Sequence, residues 1–230
     1  MRAAPDTSSL TRSIFERDVC AKPPRVVSKR RQGEGTFDLP AIKTATNSDE
    51  AAVFDTLSLA FCADPVMRWL YPHPSKFLKH FPELMKHFGG KAFANTSAHY
   101  VDGYVGAALW LPPRVAFDGE TIASLLQNTV AEERHADLFA VFNQMPEYHP
   151  HEPHWYLAAI GIDPSRQNQG QGAALIEHAL RTCDRNHESA YLESSNPRNI
   201  SFYRKHGFEV LATLQVGTSP PVTPMCRSPR

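Results

Sequence analysis

The segment whose residue types could do chemistry is Ile160-Gly161-Ile162-Asp163-Pro164-Ser165-Arg166-Gln167-Asn168-Gln169-Gly170-Gln171-Gly172-Ala173. It sets an apolar, strand-like run, a polar loop with two glycines and a helix start in immediate succession. Such a loop binds phosphate with little positive charge, because free amides at a helix N-terminus converge on the anion and the helix dipole adds to the attraction. Gly170 and Gly172 let backbone approach a pyrophosphate where a Cβ would stand in the way. The spacing matches neither the Rossmann nor the Walker pattern, and taken alone it is equally an ordinary strand-to-helix turn. No Gly-x-Ser-x-Gly elbow occurs, so serine hydrolase chemistry has little support.

The elements that must hold this loop read as mixed α/β. Alternation over 36–44 suggests a short first strand, and Asn47 with Glu50 suggests a cap opening a helix over 48–62. A short helix after Asp64-Pro65 precedes a longer one from Pro74, kinked at Pro82 and ended by Gly89-Gly90. Residues 92–111 read as a hairpin turning at Asp102-Gly103 and stopped by Pro112-Pro113, and 118–145 as one long or two short helices. The run 154–162 has the pattern of a strand buried on both faces. A helix over 170–187, a strand at 190–194, a helix at 198–206 ended by Gly207, and strands at 208–216 and 222–226 complete the order.

Composition narrows the classes. The 230 residues are 42% hydrophobic and 21% charged, enough for one domain with an unstapled core. Twenty-four basic residues balance 24 acidic ones, which argues against nucleic-acid binding. The longest apolar runs, Val105–Leu111 and Trp155–Ile162, are strand-sized rather than membrane-spanning. Cys20, Cys62, Cys183 and Cys226 show no paired spacing, so reduced thiols and a cytoplasmic location are expected. Residues 1–36 hold eight Lys/Arg and four Asp/Glu and read as a disordered basic tail, with Lys29-Arg30-Arg31 a weaker candidate for a localisation signal.

After the helix come Tyr191-Leu192-Glu193-Ser194-Ser195-Asn196-Pro197-Arg198-Asn199 and Phe202-Tyr203-Arg204-Lys205-His206-Gly207-Phe208. Here the chain resembles the GCN5-related N-acetyltransferase (GNAT) superfamily, whose acyl-CoA loop runs Gln/Arg-x-x-Gly-x-Gly/Ala, matched by Gln167, Gly170 and Gly172. Within it, the resemblance is greatest to puromycin N-acetyltransferase and its relatives; it is specific from about 149 to 211, in order but weaker from 39 to 111, and slight in the tail and over 114–146.

The resemblance implies a GNAT-type mixed, mostly antiparallel sheet, splayed at the acyl-CoA site and flanked by helices, in a domain over 37–228. It implies acetyl-CoA as co-substrate, with Ile160, Gly161 and Ile162 along the pantetheine arm. Gln167, Asn168, Gln169, Gly170, Gln171, Gly172 and Ala173 would lie round the pyrophosphate, and Asn199 near the pantetheine. Tyr203 falls where the family has a Tyr that protonates the departing thiolate, and the Ile162 amide is the candidate oxyanion donor. Glu193, ending a short strand on the same side, is the candidate base or ammonium anchor, or else a carboxylate paired with Arg198 or Arg204. The expected activity is acetyl transfer to a primary amine of a small molecule by direct attack, without a metal. A non-catalytic acyl-CoA-binding or sensing domain and a protein or peptide acetyltransferase are the alternatives.

Other features are expected to be less central. His149, His151 and His154, with Pro150 and Pro153 between, read as a solvent-facing loop rather than a metal site, and His154 is a lesser candidate for the amine site. His80 and His87 read as a helix surface. Trp69, Tyr71, Trp110 and Trp155 read as core more than as a substrate wall, and Glu132-Glu133 as solvated.

Overall fold

The computed structural model describes residues 41–230. The basic tail and the start of the expected first strand, 36–40, lie outside the described residues. Among the described residues seven strands form one sheet in the order β1-β2-β3-β4-β5-β7-β6. They are β1 (Ile42–Thr44), β2 (Ala98–Val101), β3 (Gly106–Leu111), β4 (His154–Ile162), β5 (Ser189–Ser194), β6 (Glu209–Val210) and β7 (Thr223–Arg227). Every pairing is antiparallel except β4 with β5. Helices α1 (Glu50–Phe61) and α3 (Pro74–Gly89) cover β3 and β4, while α7 (Gln171–Asn186) packs on β2 to β5. Among the described residues three buried clusters result, one holding Leu57, Phe81, Leu109 and Tyr156, another Trp110, Leu157, Ile176 and Leu192, and a small third Val141, Leu214 and Val222.

The long elements follow their apolar spacing. In α7 the helical spacing of Ala173, Ile176, Leu180 and Cys183 predicts a buried stripe; the last three are buried, Leu175 and Ala179 widen the stripe, and Ala173 is only half-buried. Helix α3 runs through Pro82 without a break, and a further turn, α4 (Lys91–Ala94), follows its glycines. The hairpin strand therefore starts at Ala98 rather than 92. Its turn holds two successive left-handed residues, Gly103 and Tyr104. The 118–145 stretch is two helices, α5 (Gly119–Thr129) and α6 (His135–Gln144).

Three expectations are corrected. The start of α1 is organised by Thr46 rather than Asn47: the Asp49 carboxylate accepts from the Thr46 amide at 2.7 Å and its hydroxyl at 2.8 Å, around a 3₁₀ turn at Asn47–Asp49. The strand expected over 208–216 shrinks to β6, with one isolated bridge between Leu214 and Val222. Strand β4 is not buried on both faces throughout; Tyr156, Leu157 and Ala159 are buried but Ile160, Gly161 and Ile162 are half-buried. The sheet's central feature explains the last: β4 and β5 pair only through His154–Ser189, Trp155–Ala190 and Tyr156–Tyr191, then part.

Candidate active site

The split between β4 and β5 is built by two local features. An extra residue in β4 at Ala158 shifts the β3 register, from Leu109 opposite Ala159 to Trp110 opposite Leu157. A bulge of this kind bends its strand and re-aims the residues beyond it. Gly161 then lets α1 lie against β4, since a Cβ there would stand 2.5 Å from the Ala60 methyl. Beyond Tyr156 one edge of β4 has no strand partner among the described residues. Because an antiparallel strand alternates its polar groups, and the Asp163 amide bonds to Val105 on the β3 side, the amides of Ile160 and Ile162 face the open edge. The Ile162 carbonyl faces it too, and Gln167 Nε2 donates to it at 3.3 Å.

The loop from Asp163 to Gly170 is held from within. Asp163 accepts from the amide and hydroxyl of Ser165, both at 2.8 Å, which pins a 3₁₀ turn at Pro164–Arg166. Those donors hold the Asp163 carboxyl below the usual range. Asn168 and Gly170 both take left-handed backbone, with φ of 62° and 88°. Gly170 is the N-cap of α7, so the amides of Gln171, Gly172 and Ala173 have no partner within the helix. Among the described residues nothing comes within 4 Å of a Cβ built on Gly170, and one on Gly172 would make only ordinary contacts with Ile162 and Phe202. The loop thus has the open amides, clear approach and dipole that a pyrophosphate requires.

Below the split lies an apolar cavity of about 140 Å³. Its floor is the parted strands, Leu157 to Ile160 and Leu192 to Ser195, and its walls are α2 (Pro65–Leu70), α3, α5 and α6. Phe61, Trp69, Phe88 and Phe142 supply the aromatic lining; Tyr71 and Trp110 are instead fully buried in the core, and the Trp155 indole donates to Glu188 at 2.7 Å. Only a few polar groups reach it, chiefly Glu193, Ser195, Asn199 and Tyr203. Of the residues expected round the cofactor, Ile160 and Asn199 line this cavity, whereas 167–173 stand outside it at the start of α7.

Glu193 is not paired with Arg198 or Arg204. Its Oε2 accepts from the Tyr156 hydroxyl at 2.6 Å, and its Oε1 lies 3.8 Å from His149 Nδ1, with the side chain 10% exposed. His149 lies in the expected loop with its side chain 36% exposed, but its ring also packs against Tyr191, with centroids 4.6 Å apart, and its Nε2 is 3.1 Å from His154 Nε2. Spacing gave no signal for this cluster, because it forms only when the 149–153 loop folds back over β5. His151 is exposed, and among the described residues no group of three or more His, Cys, Asp or Glu is arranged to hold a metal. His154 touches His149 rather than the cavity.

Tyr203, on α8 (Ile200–Lys205), is buried beside Phe202 and Phe208. Burial, and then the nearby Asp64 charge, push its phenol well above the ordinary value, so it stays protonated. Asp64 caps α2, accepting from the Val66 and Met67 amides, and accepts from Ser195 at 2.7 Å. That bond ties α2 to the end of β5. Burial raises the Asp64 carboxyl against the pull of these donors.

Residues 103–208 match the model of the acetyltransferase (GNAT) family. The fold is shared with a structure described as histone acetyltransferase HPA2 and related acetyltransferase from Corynebacterium glutamicum, 25% identical, over 83% of this chain and 97% of that one, at a TM-score of 0.58. Arylalkylamine N-acetyltransferase 2 from Aedes aegypti is 12% identical over 83% and 99% of the two chains, also at 0.58. An agmatine N-acetyltransferase is 12% identical over 83% and 100%, at 0.52. These similarities indicate an acetyl-CoA-dependent acyltransferase with a fold like that of the GNAT acetyltransferases. Among the described residues no helix is long and apolar enough to cross a membrane.

Proposed function

We propose that this enzyme, in a domain spanning 37–228, acetylates the primary amine of a small molecule with an apolar, aromatic or alkyl body. The observation that carries the reading is that Glu193 and Tyr203, a carboxylate and a protonated phenol, line one apolar cavity at the split between β4 and β5. The carboxylate suits the amine end of the acceptor, and the aromatic walls suit its body. A polycation would leave charges unpaired among these side chains, which is costly.

In this reading the amides of Gln169 to Ala173 hold the pyrophosphate, with Gln167 and Asn168 shaping the turn. Ile160, Gly161, Ile162 and Asn199 border the pantetheine arm. Acetyl-CoA supplies an already activated thioester, so positioning and proton transfer are what the protein adds. Glu193 takes a proton from the amine, the outward Ile162 amide stabilises the carbonyl oxygen, and Tyr203 gives its proton to the departing sulfur. The likeness to puromycin N-acetyltransferase and its relatives agrees with a small amine acceptor.

The test is thiol release from acetyl-CoA across a panel of amines. Turnover with 2-phenylethylamine and alkyl monoamines well above that with agmatine, spermidine or lysine peptides is expected. Preference for the polycations or peptides would overturn the acceptor class.

A further inference from the structure

Resting on the reading of the apolar cavity as the acceptor site, we propose that Trp69, held by Thr218 and Asp137, sets how large a body the acceptor can have. The cavity measures about 140 Å³. An apolar cavity of about 150 Å³ holds one benzene ring, so this one admits a single aryl group on a short linker. The side chain that closes it therefore decides which amines fit.

Three stretches far apart in sequence meet at this wall. Trp69 comes from α2, Leu138 and Phe142 from α6, and Ser219 and Pro220 from the connection between β6 and β7. Thr218 is exposed and does not line the cavity, yet it joins all three. Its hydroxyl accepts from Trp69 Nε1 at 3.2 Å. The same hydroxyl donates to Asp137 Oδ2 at 2.9 Å, and the Thr218 amide donates there at 2.8 Å. The indole can only donate and an ionised carboxylate can only accept, so every hydrogen in this chain has one place.

The surroundings make this clasp rigid. Gly217 takes left-handed backbone, with φ of 53°, and a Cβ on it would overlap the Asp137 carboxylate, so the close approach needs a glycine. The turn that carries Thr218 is closed on itself: the Val216 amide donates to Ser219 Oγ and the Ser219 amide to the Val216 carbonyl, both at 2.9 Å. Val141 of α6 packs with Leu214 and Val222 at the two ends of the same connection. The Arg134 guanidinium lies 5.9 Å from the centre of the Trp69 ring, within reach of a cation–π contact. The start of α2 is tied to β5 by Asp64 and Ser195, so the helix is fixed at both ends. An indole held at its nitrogen and over its face presents one surface to the cavity, and a longer acceptor body meets it as a fixed limit.

The test compares kcat/KM for 2-phenylethylamine and 4-phenylbutylamine, at saturating acetyl-CoA, in the unaltered enzyme and in Trp69→Ala, Trp69→Phe, Thr218→Val and Thr218→Ser. The unaltered enzyme should favour the shorter amine by about tenfold or more, the scale on which a pocket counts methylenes. Trp69→Ala should move that ratio by at least about tenfold towards the longer amine, through a lower KM for it, with KM for acetyl-CoA within about twofold. Thr218→Val keeps the side chain's shape but can neither accept from the indole nor donate to Asp137, so it should move the ratio the same way by a smaller factor. Trp69→Phe, which cannot donate, should match it. Thr218→Ser keeps both bonds and should restore the ratio of the unaltered enzyme, which separates the hold of the hydroxyl from bulk alone. A ratio unchanged in the Trp69 variants and Thr218→Val, rates lowered alike for both amines, a Thr218→Ser ratio shifted as far as that of Thr218→Val, or preference of the unaltered enzyme for the longer amine would each overturn the size limit and leave the cavity as the acceptor site. No turnover of any monoamine by the unaltered enzyme would instead remove the reading beneath it.

Discussion

The Tyr156 hydroxyl donates to Glu193 across 2.6 Å at the last rung where β4 and β5 are still paired. The carboxylate is thus anchored at the point where the sheet opens. Burial, reinforced by the Glu193 charge, holds the Tyr156 phenol well above its usual value, so it serves as a donor at every working pH. Tyr156→Phe keeps the ring packing with Phe88 and Phe117 and removes one hydrogen bond to a charged group, worth about 1.5–3 kcal/mol. We expect kcat to fall by about tenfold with KM for acetyl-CoA unchanged. An unaltered kcat would show that Glu193 needs no anchor.

Tyr203→Phe tests the proposed acid. The ring stays packed on Phe208, so loss of the hydroxyl should leave folding and acetyl-CoA affinity nearly intact. Steady-state kinetics should show kcat lower by about a hundredfold, the scale of general-acid catalysis. Full turnover in this variant would remove Tyr203 from the chemistry.

Gly170→Val probes the proposed pyrophosphate loop. At φ of 88° a β-branched residue is strained, although there is open space for its side chain. The turn should relax and redirect the amides of Gln171 to Ala173, weakening acetyl-CoA binding by about tenfold or more in a calorimetric titration. Gly170→Ala should do the same more mildly. Retained affinity in both would separate the loop from the cofactor.

Elements carried by long periodic runs were legible in the sequence: the α7 stripe of Ile176, Leu180 and Cys183, the turn at Asp102-Gly103, and the strand–loop–helix unit around Gly170. What failed was decided by tertiary placement. Thr46 rather than Asn47 organises the start of α1 because Asp49 reaches back to it. The 208–216 stretch lies at the sheet edge, where β7 pairs with only Glu209 and Val210. Glu193 and Tyr203 are candidates through the family resemblance of 191–208, which says nothing of the partners of Glu193. Pro150 and Pro153 mark a loop correctly, yet no periodicity says that this loop lays His149 on Tyr191.

A further expectation concerns stability rather than turnover. His99 on β2 is buried beneath α7 against His178, and burial first, then His178, lowers its pKa to about 4. The unfolded chain binds a proton here near pH 6.5 and the native state does not, so the contribution is neutral above that pH. Stability is then lost as pH falls from about 6.5 towards 4, by roughly 2 kcal/mol at pH 5. His99→Leu also removes the buried, unpartnered Nδ1. Its thermal midpoint should fall less between pH 7 and pH 5 than that of the unaltered protein; equal slopes would place the acid sensitivity elsewhere.

The most direct measurement of the central claim is calorimetric titration with CoA joined through an acetyl bridge to 2-phenylethylamine, compared with CoA alone. If the split holds the thioester and the cavity beside Glu193 and Tyr203 holds the amine's body, the joined ligand fills both and should bind at least about a hundredfold more tightly. Affinity no greater than that of CoA would mean that the cavity is not the acceptor site.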